Sequence, residues 1–96
     1  MRENYYTIMH FEFDAEKSKS NLAKHGIDFE QAQTLWRDAD ALAVPSKYSG
    51  ESRMLCIAAL EGKLWTAIYT EREGKIRIIS VRRAHVKERN AYYEQQ

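Results

Sequence analysis

The sequence predicts an α+β domain, in which an antiparallel sheet of about four strands is combined with two N-terminal helices and one C-terminal helix. Three apolar segments, SRMLCIAAL, LWTAIYT and KIRIISVR, are separated by EGK and EREG, and glycine-containing links of this length are typical of β-hairpins. Helix-start signals precede residue 40, and a polar segment of helical character follows residue 83. Because 96 residues are the length of one domain, we predict a single domain over 1–96 with its helices on one face of the sheet.

The N-terminal half begins with a short strand and a helix. FEF at 11–13 indicates the strand. Asp14 predicts an N-cap, because an aspartate side chain accepts hydrogen bonds from the first free amides of a helix. We expect this helix to end at Gly26, since glycine tolerates the positive φ of a C-terminal stop.

A second helix is predicted to start directly afterwards and to fade at 38–40. Asp28 and Gln31 have the spacing of a capping box. Its core face consists of four apolar residues at helical spacing: Phe29, Ala32, Leu35 and Trp36. The two helices have the outline of a helix-turn-helix, but no long basic second helix follows, which disfavours DNA recognition by this pair.

The C-terminal half leads through strands to a closing helix. ALAV at 41–44 indicates a short strand, and the single proline marks a loop over 45–50. The three apolar segments then form an antiparallel meander with Gly62 and Gly74 in its turns. The last helix is predicted from about residue 84 to residue 93.

Composition excludes several classes of protein. Hydrophobic residues make up 44% of the chain and aromatic residues 11%, which argues against disorder. No apolar run reaches the roughly 18 residues of a membrane-spanning helix. The N-terminus lacks the apolar region of a secretory signal. The lone Cys56 cannot form an internal disulfide, so we expect a small core cysteine and a cytoplasmic protein.

Positive charge is concentrated near the C-terminus. Residues 71–90 contain seven Lys/Arg against three Glu, whereas the net charge of the whole chain is only +1. A small protein that gathers arginines around one hairpin and one helix is typically a phosphate binder. The sequence therefore favours an RNA-binding or RNA-cleaving protein.

RNA cleavage requires removal of a proton from the 2′-OH, stabilisation of the pentavalent phosphate and protonation of the 5′-oxygen. Arginine serves the second task, because its planar fork of donors matches phosphate. Strict alternation places Arg77 and Ile79 on one face of the last strand and Ser80 on the other. Four residues are expected together near the last turn: Tyr69, Thr70, Arg72 and Arg77. The candidates for proton transfer are Lys24, His25, Tyr69, His85, Glu88 and Tyr92.

Other interpretations of these residues remain open. Arg72 and Arg77, beside acidic neighbours, are also consistent with surface ion pairs of small energetic value. His25 is suited to a helix C-terminus through the helix dipole. The histidines have no metal-ligand spacing, so we predict no metal and no cofactor.

Five motifs stand out along the chain: FEFD at 11–14, NLAKHGIDFEQA at 21–32, GESR at 50–53, YTERE at 69–73 and IRIISVRRA with ER within 76–89. Together they resemble one known family, the BrnT toxins of bacterial type II toxin–antitoxin pairs, which have a RelE-like ribonuclease fold. The resemblance extends from Phe11 to about Tyr93. Val81 stands where the family commonly has alanine. The first ten residues are longer than a usual start and suggest an extra strand or an ordered arm.

The resemblance implies a toxin that cleaves RNA and inhibits translation. It also implies a BrnA-like antitoxin that masks the toxin in a hetero-oligomer and binds operator DNA through a ribbon-helix-helix domain. Carried over by motif and combined with the residue chemistry, the predicted catalytic residues are His25, Arg72, Arg77, Arg82, Glu88 and Tyr92. The predicted RNA-binding residues are Lys24, Tyr69, Arg83 and Arg89.

Three functional hypotheses follow from these observations. The first is a metal-independent endoribonuclease in which His25 or Glu88 is the base and Tyr92 or His85 the proton donor. The second is a non-catalytic RNA- or protein-binding module of the same fold, and the third is a DNA-binding regulator. We further expect some large aromatic residues to lie on a surface that the antitoxin covers, the candidates being Trp36, Trp65 and Tyr69.

Overall fold

Five strands form one mixed sheet in the computed structural model, which describes residues 9–47 and 52–95. In chain order the strands are β1 (His10–Glu12), β2 (Leu42–Pro45), β3 (Met54–Leu60), β4 (Lys63–Arg72) and β5 (Lys75–Arg83). Their order across the sheet is β1-β5-β4-β3-β2. β1 pairs in parallel with β5, and the other neighbours are antiparallel. The sheet thus has five strands where about four were predicted, and it is mixed and not antiparallel, because the short strand expected near residues 11–13 pairs in parallel with β5.

Three helices complete the described fold. They are α1 (Ala15–His25), α2 (Phe29–Ala32), which continues as a 3₁₀ helix (Gln33–Arg37), and α3 (Val86–Glu94). The second predicted helix is therefore α-helical for only one turn. The closing helix starts two residues later than predicted, because the amide of Ala84 still donates to the carbonyl of Leu64. Residues 1–8 of the ten-residue N-terminal segment, predicted as an extra strand or an ordered arm, lie outside the described residues, as do residues 48–50 of the predicted loop.

The helix-start signals in the sequence are confirmed. Asp14 Oδ1 accepts hydrogen bonds from the amides of Glu16 and Lys17 at 2.8 and 3.1 Å. Asp28 and Gln31 form the predicted capping box, with bonds of 2.7 and 3.0 Å. These bonds satisfy helix amides that have no partner within the helix.

The two predicted hairpin turns are also confirmed. Glu61 and Gly62 link β3 to β4, and Glu73 and Gly74 link β4 to β5. All four residues have positive φ, as a two-residue type I′ turn requires. In each turn, glycine at the second position removes the steric cost of positive φ for one of the two residues.

Asn21 holds α1 against the exposed edge of β5, beyond the point where β1 ends. Its amide nitrogen donates to the carbonyl of Val81 at 2.9 Å, and its amide oxygen accepts from the Val81 amide at 3.2 Å. The same nitrogen donates to the carbonyl of Ile27 at 2.8 Å. One side chain therefore provides the backbone pairing that a further strand residue would have provided.

Helices pack on both faces of the sheet, which corrects the prediction of a single helical layer. On one face, which we call the helical layer, the sheet packs against α2 and the 3₁₀ helix through Phe29, Leu35 and Ile78, and α1 contacts α2 and β5. On the other face, α3 packs Tyr92 against Ile57. Adjacent residues of β3 and β4 belong to different clusters, so both faces of the sheet are apolar.

Candidate functional site

A β-bulge in β5 sets the face on which its arginines lie. Ile68 pairs with Ser80 and Tyr69 pairs with Ile78, so Ile79 is an extra residue between the two pairs. Both Ile79 and Ser80 consequently line the face that carries α3. This corrects the strict alternation predicted for β5, because one inserted residue reverses the alternation beyond it.

The bulge places three of the predicted catalytic arginines on the α3-bearing face. Val81 packs against the helical layer, so its neighbour Arg82 faces the α3 side. Arg77 also faces the α3 side, because its neighbours Ile76 and Ile78 pack against the helical layer. Thr70 opposes Arg77 across the ladder, and alternation puts Arg72 on the same side. The usual rise per strand residue puts the Cα atoms of Arg77 and Arg82 about 15 Å apart. The arginines form a row along β4 and β5 and not one compact cluster.

The two ends of this row have different surroundings. Near the β4–β5 turn, Arg77 donates to Glu12 of β1 at 3.0 Å, and both side chains are about one-third exposed. Arg72 is exposed at the end of β4. This end of the row is accessible to a large ligand.

At the other end, Glu88 fixes the position of the Arg82 guanidinium. Arg82 donates through both terminal nitrogens to the two carboxylate oxygens, at 2.8 and 2.9 Å. The carboxylate also accepts from the Thr66 hydroxyl and the His85 amide, each at 2.8 Å. Side-chain exposure is only 25% for Arg82 and 14% for Glu88, so the geometry of this bidentate pair is well defined.

The environment of Glu88 also determines its protonation state. The hydrogen bonds from Arg82, together with those from His85 and Thr66, lower the pKa of Glu88 to about 2 against the opposing effect of burial. A carboxylate with this pKa is ionised at neutral pH and is a weak base. The base role predicted for Glu88 is therefore chemically unfavourable, and its geometry suits the positioning of Arg82.

An open groove of about 890 Å³ runs between α3 and β2 beside this pair. Its floor is made by aliphatic side chains of the sheet: Leu55, Ile57, Ile68 and Ile79. Arg82, Ser80, His85 and Glu88 lie at one wall, and basic residues from the segment after β2, the segment before β3 and α3 complete the rim. The groove thus joins an apolar surface to the fixed guanidinium.

Several predicted site residues lie away from this groove. Lys24 and His25 are exposed in the last turn of α1, a helix in the layer on the opposite side of the sheet, where Ser18 of α1 accepts a hydrogen bond from the Phe29 amide. Arg83 faces that layer too, with its guanidinium 5.5 Å from the Trp65 ring centroid. Arg89 is exposed on α3. None of these four residues lines the groove with Arg82.

Trp65 and Tyr69 belong to the core, contrary to the surface that we predicted for the antitoxin, whereas Trp36 is only partly buried. Tyr69 is 5% exposed and Trp65 is 8% exposed, and Trp36 makes an edge contact with Tyr69 at 5.2 Å between ring centroids. Burial raises the pKa of Tyr69 to about 12. A buried, neutral Tyr69 on the helical face does not have the exposure that the predicted RNA contact requires. Cys56 is buried as predicted, and burial raises its pKa to about 12.

Tyr92 lies on the buried side of α3 and is hydrogen-bonded to a residue that the sequence did not indicate as functional. Its hydroxyl donates to Asp38 Oδ2 at 2.6 Å, and the same oxygen accepts from the Ala59 amide at 2.8 Å. Burial and the Asp38 carboxylate raise the pKa of Tyr92. Both properties oppose the predicted role of proton donor and indicate that Tyr92 anchors α3.

Thr66, Asp38 and the bulge at Ile79 are the features that sequence reasoning missed. A threonine within an apolar strand and an aspartate after a helix carry no distinctive spacing. The available signal for the bulge was the spacing of Arg77 and Arg82, an odd number of residues that strict alternation would place on opposite faces of β5. Over residues 9–47 and 52–95, no group of three or more His, Cys, Asp or Glu side chains is arranged to hold a metal ion. None of the helices in those ranges is long and apolar enough to cross a membrane.

The fold and the site define a small α+β protein with arginines in a row along one sheet face and a groove beside a fixed guanidinium. Such an arrangement is suited to binding a polyanion. The family model described as the ribonuclease toxin BrnT of type II toxin–antitoxin systems matches residues 13–88. The chain therefore belongs to the BrnT family of ribonuclease toxins, which confirms the resemblance predicted from its motifs. A comparison with curated proteins found no match.

Proposed function

We propose that this protein is an endoribonuclease toxin that cleaves RNA by attack of a ribose 2′-OH on the adjacent phosphorus. The O2′–P bond forms and the P–O5′ bond breaks, so one proton leaves the 2′-OH and another reaches the 5′-oxygen. The products are a 2′,3′-cyclic phosphate and a 5′-hydroxyl, and the reaction needs no metal. In the cell, this cleavage would inhibit translation.

The observation that carries the proposal is the bidentate pair between Arg82 and Glu88 at the groove wall. Electrostatic stabilisation is most effective when the donor is oriented before charge develops, because no reorganisation is then required. Glu88 holds Arg82 in one orientation from one side of its guanidinium fork. We assign phosphorane stabilisation to Arg82 and the positioning of Arg82 to Glu88.

Arg77 and Arg72 extend the positive surface toward the β4–β5 turn, where they would bind phosphates flanking the cleaved bond. Their separation from Arg82 along the strand, about 15 Å for Arg77, is more than a single phosphate group spans. His85 lines the groove at the start of α3 and is exposed. We assign proton transfer to His85, because an imidazole is able to accept and donate protons near neutral pH.

The partner of this toxin would be a BrnA-like antitoxin with a ribbon-helix-helix DNA-binding domain, and the two chains would form a hetero-oligomer. Membership of a type II toxin–antitoxin family supports a protein antitoxin. A RelE-like arrangement of the fold is part of the same proposal.

The test is RNA cleavage by the purified protein after substitution of Arg82. We expect Arg82→Ala to lower the cleavage rate about 100-fold or more, the usual effect of removing an oriented donor. Arg82→Lys keeps the charge but loses the fork, so it should recover only part of the rate. Lys19→Ala, on the exposed surface of α1, is the control and should cleave at the wild-type rate. A folded Arg82→Ala protein with wild-type cleavage would contradict the proposal.

A second candidate function is a non-catalytic RNA- or protein-binding module. One observation favours it: both terminal nitrogens of Arg82 already donate to Glu88, as in a purely structural pair. A protein that binds RNA without cleaving it, with and without ribosomes, would establish this alternative. Growth arrest that persists after Arg72, Arg77 and Arg82 are replaced together would also support it.

A further inference from the structure

We infer that the groove between α3 and β2 is the docking site of an amphipathic helix with acidic flanks, contributed by the antitoxin. The inference rests on the proposed function for the identity of the partner, and on the groove itself for the partner's chemistry. It assigns the neutralising contact to a particular surface of the toxin.

Helices cover the groove side of the sheet only in part. The opposite face is covered by α2 and the 3₁₀ helix, and α1 contacts α2 and β5. On the groove side, α3 covers Ile57 and Leu64 through Tyr92 and Ala84, while Leu55, Ile68 and Ile79 remain only partly buried. An apolar sheet face is normally covered by a helix, so a second helix beside α3 would complete the layer.

The side chains that line the groove are mostly basic where they are charged. Among the described residues that line the groove, Lys47, Arg53, Arg82 and Lys87 are basic and Glu88 is the one acidic side chain. Glu88 is engaged with Arg82, whereas Lys47 and Lys87 are exposed on opposite sides of the groove, on the segment after β2 and on α3. A helix with an apolar face and glutamates or aspartates along both flanks is complementary to this surface.

The aliphatic floor distinguishes this occupant from RNA. Bases bound to proteins without a partner strand commonly stack on aromatic or arginine side chains, but the floor here consists of leucine and isoleucine. Burying these side chains stabilises a complex with an apolar helix face and offers nothing to a phosphate. The helix would lie against Arg82 and His85 and exclude RNA from them, which explains neutralisation without a conformational change.

The experiment measures binding of two synthetic helical peptides of about 18 residues, long enough to be partly helical in water. Both have leucines on one face; one has glutamates on its flanks and the other has lysines. The toxin is tested as wild type, as Lys47→Glu/Lys87→Glu and as Leu55→Gln. The matched controls are Lys19→Glu/Lys63→Glu and Leu22→Gln, which change exposed residues of the same types outside the groove. Circular dichroism verifies folding, and RNA cleavage is measured in parallel.

We expect the acidic peptide to bind wild type at least tenfold more tightly than the lysine peptide and to inhibit RNA cleavage. The rim variant should reverse this preference, and Leu55→Gln should weaken the acidic peptide at least tenfold. Leu55→Gln should still cleave RNA, and the control variants should behave as wild type.

The inference would be overturned if the two peptides bound wild type equally well or if neither bound. It would also be overturned if the groove variants bound the peptides as wild type does. It would also be overturned if Leu55→Gln abolished binding of a single-stranded RNA oligonucleotide, since the groove would then be an RNA site. Dissociation of a wild-type dimer by the same substitution would assign the groove to a second copy of this chain. If wild type binds the acidic peptide but cleaves no RNA, the docking site stands and the proposed ribonuclease activity fails.

Discussion

Glu88 illustrates at the residue scale how the surroundings of one carboxylate define its role. It accepts hydrogen bonds from Arg82, Thr66 and the His85 amide, and the pair with Arg82 is largely shielded from solvent. By contrast, the ion pair between Lys19 and Glu16 has a distance of 3.8 Å and both side chains at least 80% exposed. Exposed pairs of that kind contribute little to stability, so we expect only the Glu88 pair to have a measurable effect.

The pH dependence of stability tests this environment. The pKa of Glu88 is about 2 in the folded protein and near the ordinary 4.5 when unfolded. The stabilisation by this pair is therefore fully present above about pH 4.5 and is lost as the pH falls from 4.5 toward 2. In urea denaturation across this range, Glu88→Gln should show a smaller loss of stability on acidification than wild type.

The control for this experiment is Glu30→Gln on the exposed surface of α2. It should keep the slope of wild type between pH 4.5 and 2. A Glu88→Gln protein with the same slope as wild type would show that the Arg82 pair does not distinguish the folded carboxylate from the unfolded one.

At the scale of secondary-structure elements, the side chains of Asn21 and Tyr92 each bond a helix to another part of the fold. Asn21 bonds α1 to the edge of β5. Tyr92 bonds α3 to Asp38, which follows the 3₁₀ helix and also accepts from the Ala59 amide of β3. Because the groove has α3 as one wall, the position of Tyr92 influences the shape of the site without contacting it.

Tyr92→Phe tests this anchor. It removes the hydroxyl while keeping the ring that packs on the sheet. We expect a loss of about 1–3 kcal/mol in the free energy of unfolding, the usual range for a hydrogen bond to a charged acceptor. Tyr93→Phe is the matched control, because Tyr93 is 60% exposed, and it should change stability by less than about 0.5 kcal/mol.

Urea denaturation measures both variants, and RNA cleavage shows whether α3 keeps its position. If Tyr92 were the proton donor, Tyr92→Phe would lose activity while retaining its stability. We expect the opposite: reduced stability, with cleavage retained under conditions in which the variant is folded.

Over the whole molecule, charge is distributed unevenly between the two faces of the sheet. The net charge is only +1, yet Arg72, Arg77 and Arg82 lie on the face that also bears the groove. In α1 and α2, Asp14, Glu16 and Glu30 are accompanied by three lysines, Lys17, Lys19 and Lys24, so the charges of these helices largely offset one another. A protein of nearly zero net charge is therefore able to present one positive surface to a polyanion.

The salt dependence of RNA affinity tests this asymmetry. Each phosphate contact with a single strand lowers the slope of log K against log salt concentration by about 0.7. Arg72→Ala and Arg77→Ala should each reduce the steepness by about that amount, measured with a 2′-O-methyl oligonucleotide that resists cleavage. Lys19→Ala on the opposite layer should leave the slope unchanged. If neither substitution changed the slope of log K against log salt concentration, Arg72 and Arg77 would be excluded from phosphate binding.

The sequence by itself determined the elements that depend on neighbouring residues. The caps at Asp14 and Asp28, and the turns at Gly62 and Gly74, were predicted because capping and type I′ geometry involve residues within a few positions. The family was also evident from motifs along the chain. Three of the predicted catalytic arginines and Glu88 lie on one face of the sheet, although the arginines form a row where a cluster was expected.

Only the tertiary structure decided which face each side chain occupies and which distant groups it contacts. The inserted residue Ile79 reverses the alternation of β5, a change that depends on pairing with β4. Tyr92 meets Asp38 across 54 positions, and no local pattern specifies such a contact. The same separation in sequence explains why the groove, assembled from β2, β3, β4, β5 and α3, was not predicted: a surface shared by distant segments exists only once the chain has packed.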